Sequence, residues 1–142
     1  MSSLRHILRV GVIAVALVTG GQALAQETAP SDPSRGPVTN LPLPRFVSLK
    51  SAETNVRRGP SLTHRIDWIY KQADLPVQII AEYGHWRRII DHDGLGGWVH
   101  YSLLSGVRTV LVEEDQTPVR SQPDEEATEV AVFELGVIAF LG

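Results

Sequence analysis

The stretch Gly84-His-Trp-Arg-Arg-Ile-Ile-Asp-His-Asp-Gly-Leu-Gly-Gly-Trp-Val-His100 decides the fold class of this chain. Strand-forming residues from Trp86 to Asp91 lead into a turn cluster, His92 to Gly97, and a second aromatic run, Trp98 to Tyr101, follows. Two such runs around a Gly- and Asp-rich turn indicate a β-hairpin, because turn positions with positive φ exclude most side chains. The hairpin predicts a small β-rich module.

Further short strand candidates lie on both sides of this hairpin. They span residues 46–51, 54–61, 66–70, 75–83 and 106–112, and residues 102–105 suit a single tight helical turn. No segment shows a sustained period of 3.6 residues, so a helical core is not expected. About six short strands with turn signals at close intervals predict an all-β fold, a small barrel or sandwich.

The first 25 residues have the order of a secretory signal peptide. Arg5 and Arg9 precede an uncharged apolar core over residues 10–18, and Ala23-Leu24-Ala25 is a small-x-small site. The core is too short to span a membrane comfortably, although a retained anchor is the alternative reading. We predict cleavage after Ala25, export to the periplasm or the extracellular space, and no membrane span in the mature protein.

The composition of the mature chain indicates a linker and limits the classes of partner and site that it can have. Residues 26–43 carry four prolines and little periodicity, which predicts a flexible linker. Residues 44–110 have a net charge of +3 and residues 111–142 a net charge of −7, so nucleic acid is not expected as a partner. The chain has no cysteine, which removes disulfides, thiol nucleophiles and cysteine-based metal sites.

The C-terminal part repeats the beginning of the first unit. Asn55–Pro60 aligns with Pro118–Pro123, and Leu75–Ile80 aligns with Leu135–Phe140 if a loop is three residues shorter. We therefore expect residues 113–142 to be an incomplete second repeat. Either the sequence in hand is incomplete or this tail packs on the first unit, and a chance similarity stays open.

Several motifs together resemble the bacterial SH3 (SH3b, SH3-like) domain family. They are Asn55-Val-Arg-Arg-Gly-Pro-Ser61, Leu75-Pro-Val77, Trp86, Gly97-Trp-Val99 and Leu103-Leu104. The resemblance covers residues 46–112 and sets a domain at 44–112. It implies a barrel of five or six strands and a non-catalytic binding role outside the cytoplasm, with peptidoglycan or a peptide as the usual ligand. No enzyme domain is attached here.

The chain contains histidine, aspartate and serine, which occur in catalytic and metal sites, but they are not arranged in the sequence motifs of such sites. His64, His85, His92 and His100 form no His-Glu-x-x-His motif, and no serine lies in a Gly-x-Ser-x-Gly elbow. Asp91 and Asp93 lie in a turn, where carboxylates usually accept bonds from local amides. We expect no catalytic residue, no metal and no cofactor.

The aromatic residues give the candidate site. Trp98 is predicted to fill the core, whereas Tyr83, Trp86 and Tyr101 are predicted to line a solvent-facing groove with Arg87 beside it. Arginines on a strand's outer face serve solubility equally often. The prediction is a binding module for a cell-wall component or an extended peptide; the alternative is a structural adaptor that engages an envelope protein through its acidic tail. The ligand and the oligomeric state stay open.

Overall fold

The structure is a computed structural model that describes residues 32–142, and over this range it is all-β. The all-β, small-barrel prediction is confirmed. The predicted signal peptide lies outside the described residues. The strands are β1 (Arg45–Leu49), β2 (Thr54–Arg57), β3 (Ile66–Tyr70), β4 (Pro76–Tyr83), β5 (Trp86–Ile90), β6 (Gly96–His100), β7 (Leu104–Ser105), β8 (Thr109–Leu111), β9 (Thr117–Arg120), β10 (Glu129–Phe133) and β11 (Ile138–Phe140).

The first seven strands form one antiparallel sheet in the order β3-β2-β6-β5-β4-β1-β7. A single 3₁₀ turn over Tyr101–Leu103 links β6 to β7, one residue before its predicted place. The sheet curls around a core of eight buried apolar side chains, which come from β1, β2, β4, β5, β6 and the residue before β4. They are Val47, Leu49, Val56, Leu75, Val77, Ile79, Ile89 and Val99.

A β-bulge in the long strand β4 changes which of its side chains point into the barrel. Its register with β5 shifts between Ile79 and Ala81, so the alternation that starts at Val77 does not continue to the end of the strand. Beyond the bulge, Glu82 faces inward in place of Ala81. Its partner on β5 is Arg87, which lies on the same inner face of β5 as Ile89 and is buried as well.

The predicted hairpin of β5 and β6 pairs over five residues on each strand, from Trp86 opposite His100 to Ile90 opposite Gly96. The prediction that Trp98 fills the core is wrong. Val99 is fully buried, and because successive side chains point to opposite faces, Trp98 lies on the outer face, where it is half-buried.

The predicted linker becomes ordered before its predicted end at residue 43. Gly36 is buried, and the loop over residues 36–41 is closed by a bond from the Gly36 amide to the Leu41 carbonyl, 2.8 Å long. The Val38 and Thr39 amides donate to the Glu82 carboxylate at 3.0 and 2.9 Å. The part of the predicted linker that precedes residue 32 lies outside the described residues.

The C-terminal part forms two small antiparallel pairs, β9 with β10 and β8 with β11. It connects to the barrel through β8, where the Thr109 hydroxyl donates to the Asp74 carbonyl at 2.6 Å. Within residues 32–142, no helix has the length and apolar character that crossing a membrane would require.

Candidate functional site

A two-residue turn places the predicted aromatic residues together at one end of the barrel. Gly84, with φ of 52°, and His85 join β4 to β5, so that Tyr83 pairs directly with Trp86. Trp86 pairs in turn with His100 on β6. Because directly opposed residues share a face of the sheet, Tyr83, Trp86 and His100 form a row across three strands.

Four rings at this end form a connected series of contacts. The Trp86 and His100 ring centroids are 5.5 Å apart and perpendicular, and the His100 and Tyr101 centroids are 4.9 Å apart. His85 lies 5.7 Å from Tyr101 and 6.0 Å from His100. We call Tyr83, His85, Trp86, His100 and Tyr101 the aromatic surface.

The aromatic surface is open to solvent, although it is built on ordered strands. Tyr83 is 65% exposed and Tyr101 is 50% exposed, while Trp86 and His100 are half-buried. Single exposed apolar side chains are common on folded domains, whereas adjacent, partly exposed tyrosine and tryptophan rings are enriched at contact sites.

Local hydrogen bonds fix the two residues at the end of β6. The His100 Nδ1 and the Ser102 hydroxyl are 2.7 Å apart, and the Tyr101 amide donates to the His85 carbonyl at 2.9 Å. The second bond ties the end of β6 to the β4–β5 turn. The rings of His85 and Tyr101 are therefore held side by side by backbone contacts.

Arg87 lies under the aromatic surface and is only 7% exposed. Its guanidinium donates to the Gly84 and Trp86 carbonyls, both at 2.8 Å, and its Cζ is 6.0 Å from the centre of the Tyr101 ring. Arg87 lies two residues before the buried Ile89 and opposite the buried Val99, so the alternation of β5 turns this residue, which was predicted beside the groove, to the inner face. In this position Arg87 supports the turn and the Tyr101 ring, and does not offer its charge to a ligand.

Glu82 is the buried carboxylate next to Arg87. Its side chain is fully buried, and its Oε1 lies 2.8 Å from Arg45 Nη2 and 3.7 Å from Arg87 Nε. Burial alone would raise the pKa of Glu82, but hydrogen bonds from Thr39, Arg45 and Val38 lower this pKa to about 2. The carboxylate is ionised at neutral pH and links the residues before the barrel to the site.

Sequence reasoning placed Tyr83, Trp86 and Tyr101 at the site but did not include His85 or His100. The hairpin register contained the missing signal, because a turn over residues 91–95 sets His100 opposite Trp86. The inward position of Arg87 had a signal as well, because Arg87 lies two residues before Ile89 and alternate side chains of a strand share a face.

The other candidate cluster has its polar atoms engaged in a turn. The cluster consists of Asp91, His92 and Asp93. Each residue offers one atom of a type that binds metals, a carboxylate oxygen or a ring nitrogen, and these atoms lie within 4.8 Å of one another. The Asp91 carboxylate, however, already accepts bonds from the Asp93 and Leu95 amides, both at 2.9 Å, and from the Tyr70 hydroxyl at 2.8 Å. The cluster is explained by the β5–β6 turn.

The curled seven-stranded sheet and the exposed rings at its end define a small β-barrel of the binding-module class. Residues 50–106 match the family model described as bacterial SH3 domain, so this part of the chain is similar to that family in sequence. Bacterial SH3 domains are generally non-catalytic binding modules and are often associated with the cell wall. No curated protein matches the chain.

Proposed function

We propose that the protein is an exported, non-catalytic module that binds a cell-wall component, or an extended peptide of the envelope, through the aromatic surface. The observation that carries this proposal is the row of Tyr83, Trp86 and His100 across three paired strands with Tyr101 beside it, in which the two tyrosines are exposed and the other two rings are half-buried. Flat rings of this kind pack on sugar faces and on extended, proline-rich peptides, and tyrosine adds a hydroxyl for hydrogen bonding.

The charge of the barrel supports an envelope ligand that carries carboxylates. Residues 44–110 have nine basic and six acidic residues. Arg88 lies on the outer face of β5, on the same side as Trp86, and is exposed. A cationic group there attracts an anionic ligand without the desolvation cost of a buried ion.

Trp86→Ala tests the proposal in a pull-down on purified peptidoglycan. The wild type is expected in the pellet, and the variant is expected to lose at least tenfold in affinity, because stacked rings dominate small interfaces. Phe46→Ala is the matched control: Phe46 is 60% exposed and pairs with Gln78, five residues along β4 from Tyr83, or about 17 Å. No retention of the wild type, or equal loss in both variants, would refute wall binding through this surface.

The acidic tail supports a second candidate function, that of a structural adaptor. All eight acidic residues of the 111–142 segment are exposed, and Arg120 is its one basic residue. Such a surface attracts a basic partner protein, mainly by raising its association rate. In-cell crosslinking is expected to recover a salt-sensitive complex with an envelope protein, and recovery of the monomer alone would count against the adaptor.

A further inference from the structure

The loop over residues 36–41, which we call the N-terminal loop, is built around one carboxylate of the barrel. The Val38 and Thr39 amides donate to Glu82 Oε2 at 3.0 and 2.9 Å, and the Thr39 hydroxyl donates to Glu82 Oε1 at 2.6 Å. Successive amides that converge on a carboxylate form a binding site for that anion. Glu82 lies on β4, 43 positions after Thr39, so these bonds join the N-terminal loop to the end of the barrel that carries the aromatic surface.

The shape of the N-terminal loop fits this carboxylate closely. Gly36 is buried, and a Cβ at this position would overlap the Glu82 carboxyl group. The Asn40 amide donates to the Gly36 carbonyl and the Gly36 amide donates to the Leu41 carbonyl, both at 2.8 Å. The Thr39 hydroxyl also accepts a bond from the Leu41 amide at 3.2 Å. The loop is therefore held in one shape by its own bonds, with its remaining donors directed at the carboxylate.

The contacts continue from Glu82 to the turn between β4 and β5. Glu82 pairs with Arg87 across these strands, and its Oε1 lies 3.7 Å from Arg87 Nε. Both residues are buried. The Arg87 Nη1 donates to the Gly84 and Trp86 carbonyls at 2.8 Å, and Arg87 Cζ lies 6.0 Å from the centre of the Tyr101 ring. An unbroken series of contacts thus connects the N-terminal loop with the residues that carry the exposed rings.

The N-terminal loop fixes how the Glu82 carboxylate is turned. Its two amides bind Oε2, whereas the Thr39 hydroxyl and Arg45 Nη2 bind Oε1, so both oxygens are assigned and Oε1 is the one that faces Arg87. A buried carboxylate that loses one of its donors turns or admits water to regain a partner. Arg87 then loses the oriented counter-charge that holds its guanidinium against the β4–β5 turn.

We propose that the N-terminal loop positions the aromatic surface, and that Thr39 is the positioning residue, which acts through Glu82 and Arg87. The effect on ligand affinity rests on the proposed function, whereas the effect on the geometry of the β4–β5 turn does not. The binding unit then begins at residue 36, well ahead of the family match that begins at residue 50. A segment that the sequence predicts to be a flexible linker is in this way part of the binding site's support.

Thr39→Val tests this inference, because it removes the hydroxyl and leaves the two backbone amides in place. The Tyr101 amide, which donates to the His85 carbonyl at 2.9 Å, reports on the turn. Its hydrogen exchange is expected to become at least threefold faster in the variant, with changed shifts at the Gly84 amide. Affinity for purified peptidoglycan in the pull-down is expected to fall about threefold, the usual effect of one lost hydrogen bond. Thr39→Ser keeps the hydroxyl and is expected to restore wild-type exchange and binding.

Thr63→Val is the matched control for this substitution. Thr63 lies in the exposed turn between β2 and β3, where its hydroxyl contacts the Ser61 hydroxyl at 2.6 Å. This variant is expected to exchange and bind like the wild type. The Leu49 amide, which donates to the Leu75 carbonyl at 3.0 Å in the core of the barrel, is a second control within each protein. Its exchange reports on the stability of the whole barrel and is expected to change less than that of the Tyr101 amide.

Three results would overturn the inference. They are unchanged exchange of the Tyr101 amide in Thr39→Val, equal acceleration of the Tyr101 and Leu49 amides, and failure of Thr39→Ser to restore wild-type behaviour. A loosened turn in a Thr39→Val protein that still binds peptidoglycan like the wild type would also overturn it, and the proposed function would stand. If the wild type itself is not retained, the proposed function fails, and the exchange measurements alone decide whether the N-terminal loop positions the turn.

Discussion

Glu82 contacts most of the residues that hold the aromatic surface in place. It accepts hydrogen bonds from the Val38 and Thr39 amides and from the Thr39 hydroxyl, and it lies next to Arg45 and Arg87. A buried carboxylate is favourable only when its partners are in place, so its environment must be complete in the folded state. Residues 36–45 therefore belong to the barrel in physical terms, although they precede the family match.

Replacing this carboxylate should change how stability depends on pH. The pKa of about 2 lies below the ordinary value of 4.5, so Glu82 stabilises the fold above about pH 4.5, and this contribution is lost as the pH falls toward 2. The difference corresponds to roughly 3 kcal/mol. Glu82→Gln is expected to lower the free energy of unfolding by about that amount at pH 7, and to flatten its fall between pH 5 and 2, as measured by urea denaturation.

Glu53→Gln is the matched control for this measurement. Glu53 is paired with Lys71 at 3.1 Å, but its side chain is 62% exposed. An exposed ion pair contributes less than about 1 kcal/mol, so this variant should follow the wild type at each pH. A Glu82→Gln protein with the wild-type pH profile would show that the buried network does not act as described.

At the scale of the elements, the positions of the hairpins could be predicted from the sequence. Which side chains of each strand point into the core could be predicted only in part. The turn cluster at His92–Gly97 marks β5 and β6 because glycine and aspartate have strong local preferences. The bulge at Ile80 has no such signal, since it depends on how β4 fits β5. This one residue reverses the inward face at the end of β4, and so it explains the missed role of Glu82, whereas the burial of Arg87 follows from the regular alternation of β5.

The approach of β6 to β2 requires glycine at position 97. A Cβ there would lie 2.7 Å from Val56 Cγ1 and 2.8 Å from the Arg57 carbonyl oxygen. Gly97→Ala is expected to destabilise the barrel by about 2 kcal/mol, because the core and backbone around it cannot shift freely. Thermal denaturation followed by circular dichroism provides the measurement.

Gly106→Ala is the comparison for this substitution, since a Cβ at Gly106 meets nothing within 4 Å. Its melting temperature is expected to stay close to that of the wild type. If both variants melt at the same temperature, steric exclusion at the β2–β6 contact is not what glycine provides at position 97.

At the scale of the whole molecule, the two halves differ in charge and in how their cores are covered. The barrel is basic and its eight core residues are buried. The tail is acidic, and several of its apolar side chains are exposed. Sequence comparison indicated the repeat through Val56 and Val119 but misplaced the second strand by two residues. It did so because the apolar residues near Leu135 allow several alignments, and only the hydrogen bonds and the positive φ at Gly136 select one.

The most direct test of ligand binding at the aromatic surface is a titration of the ¹⁵N-labelled protein with soluble peptidoglycan fragments, followed by NMR. Saturable shifts are expected at the amides of residues 83–86 and 100–101 and at the Trp86 indole, with the tail and the region around Phe46 unchanged. The absence of shifts at the aromatic surface, or saturable shifts confined to other residues, would contradict the assignment of ligand binding to this surface.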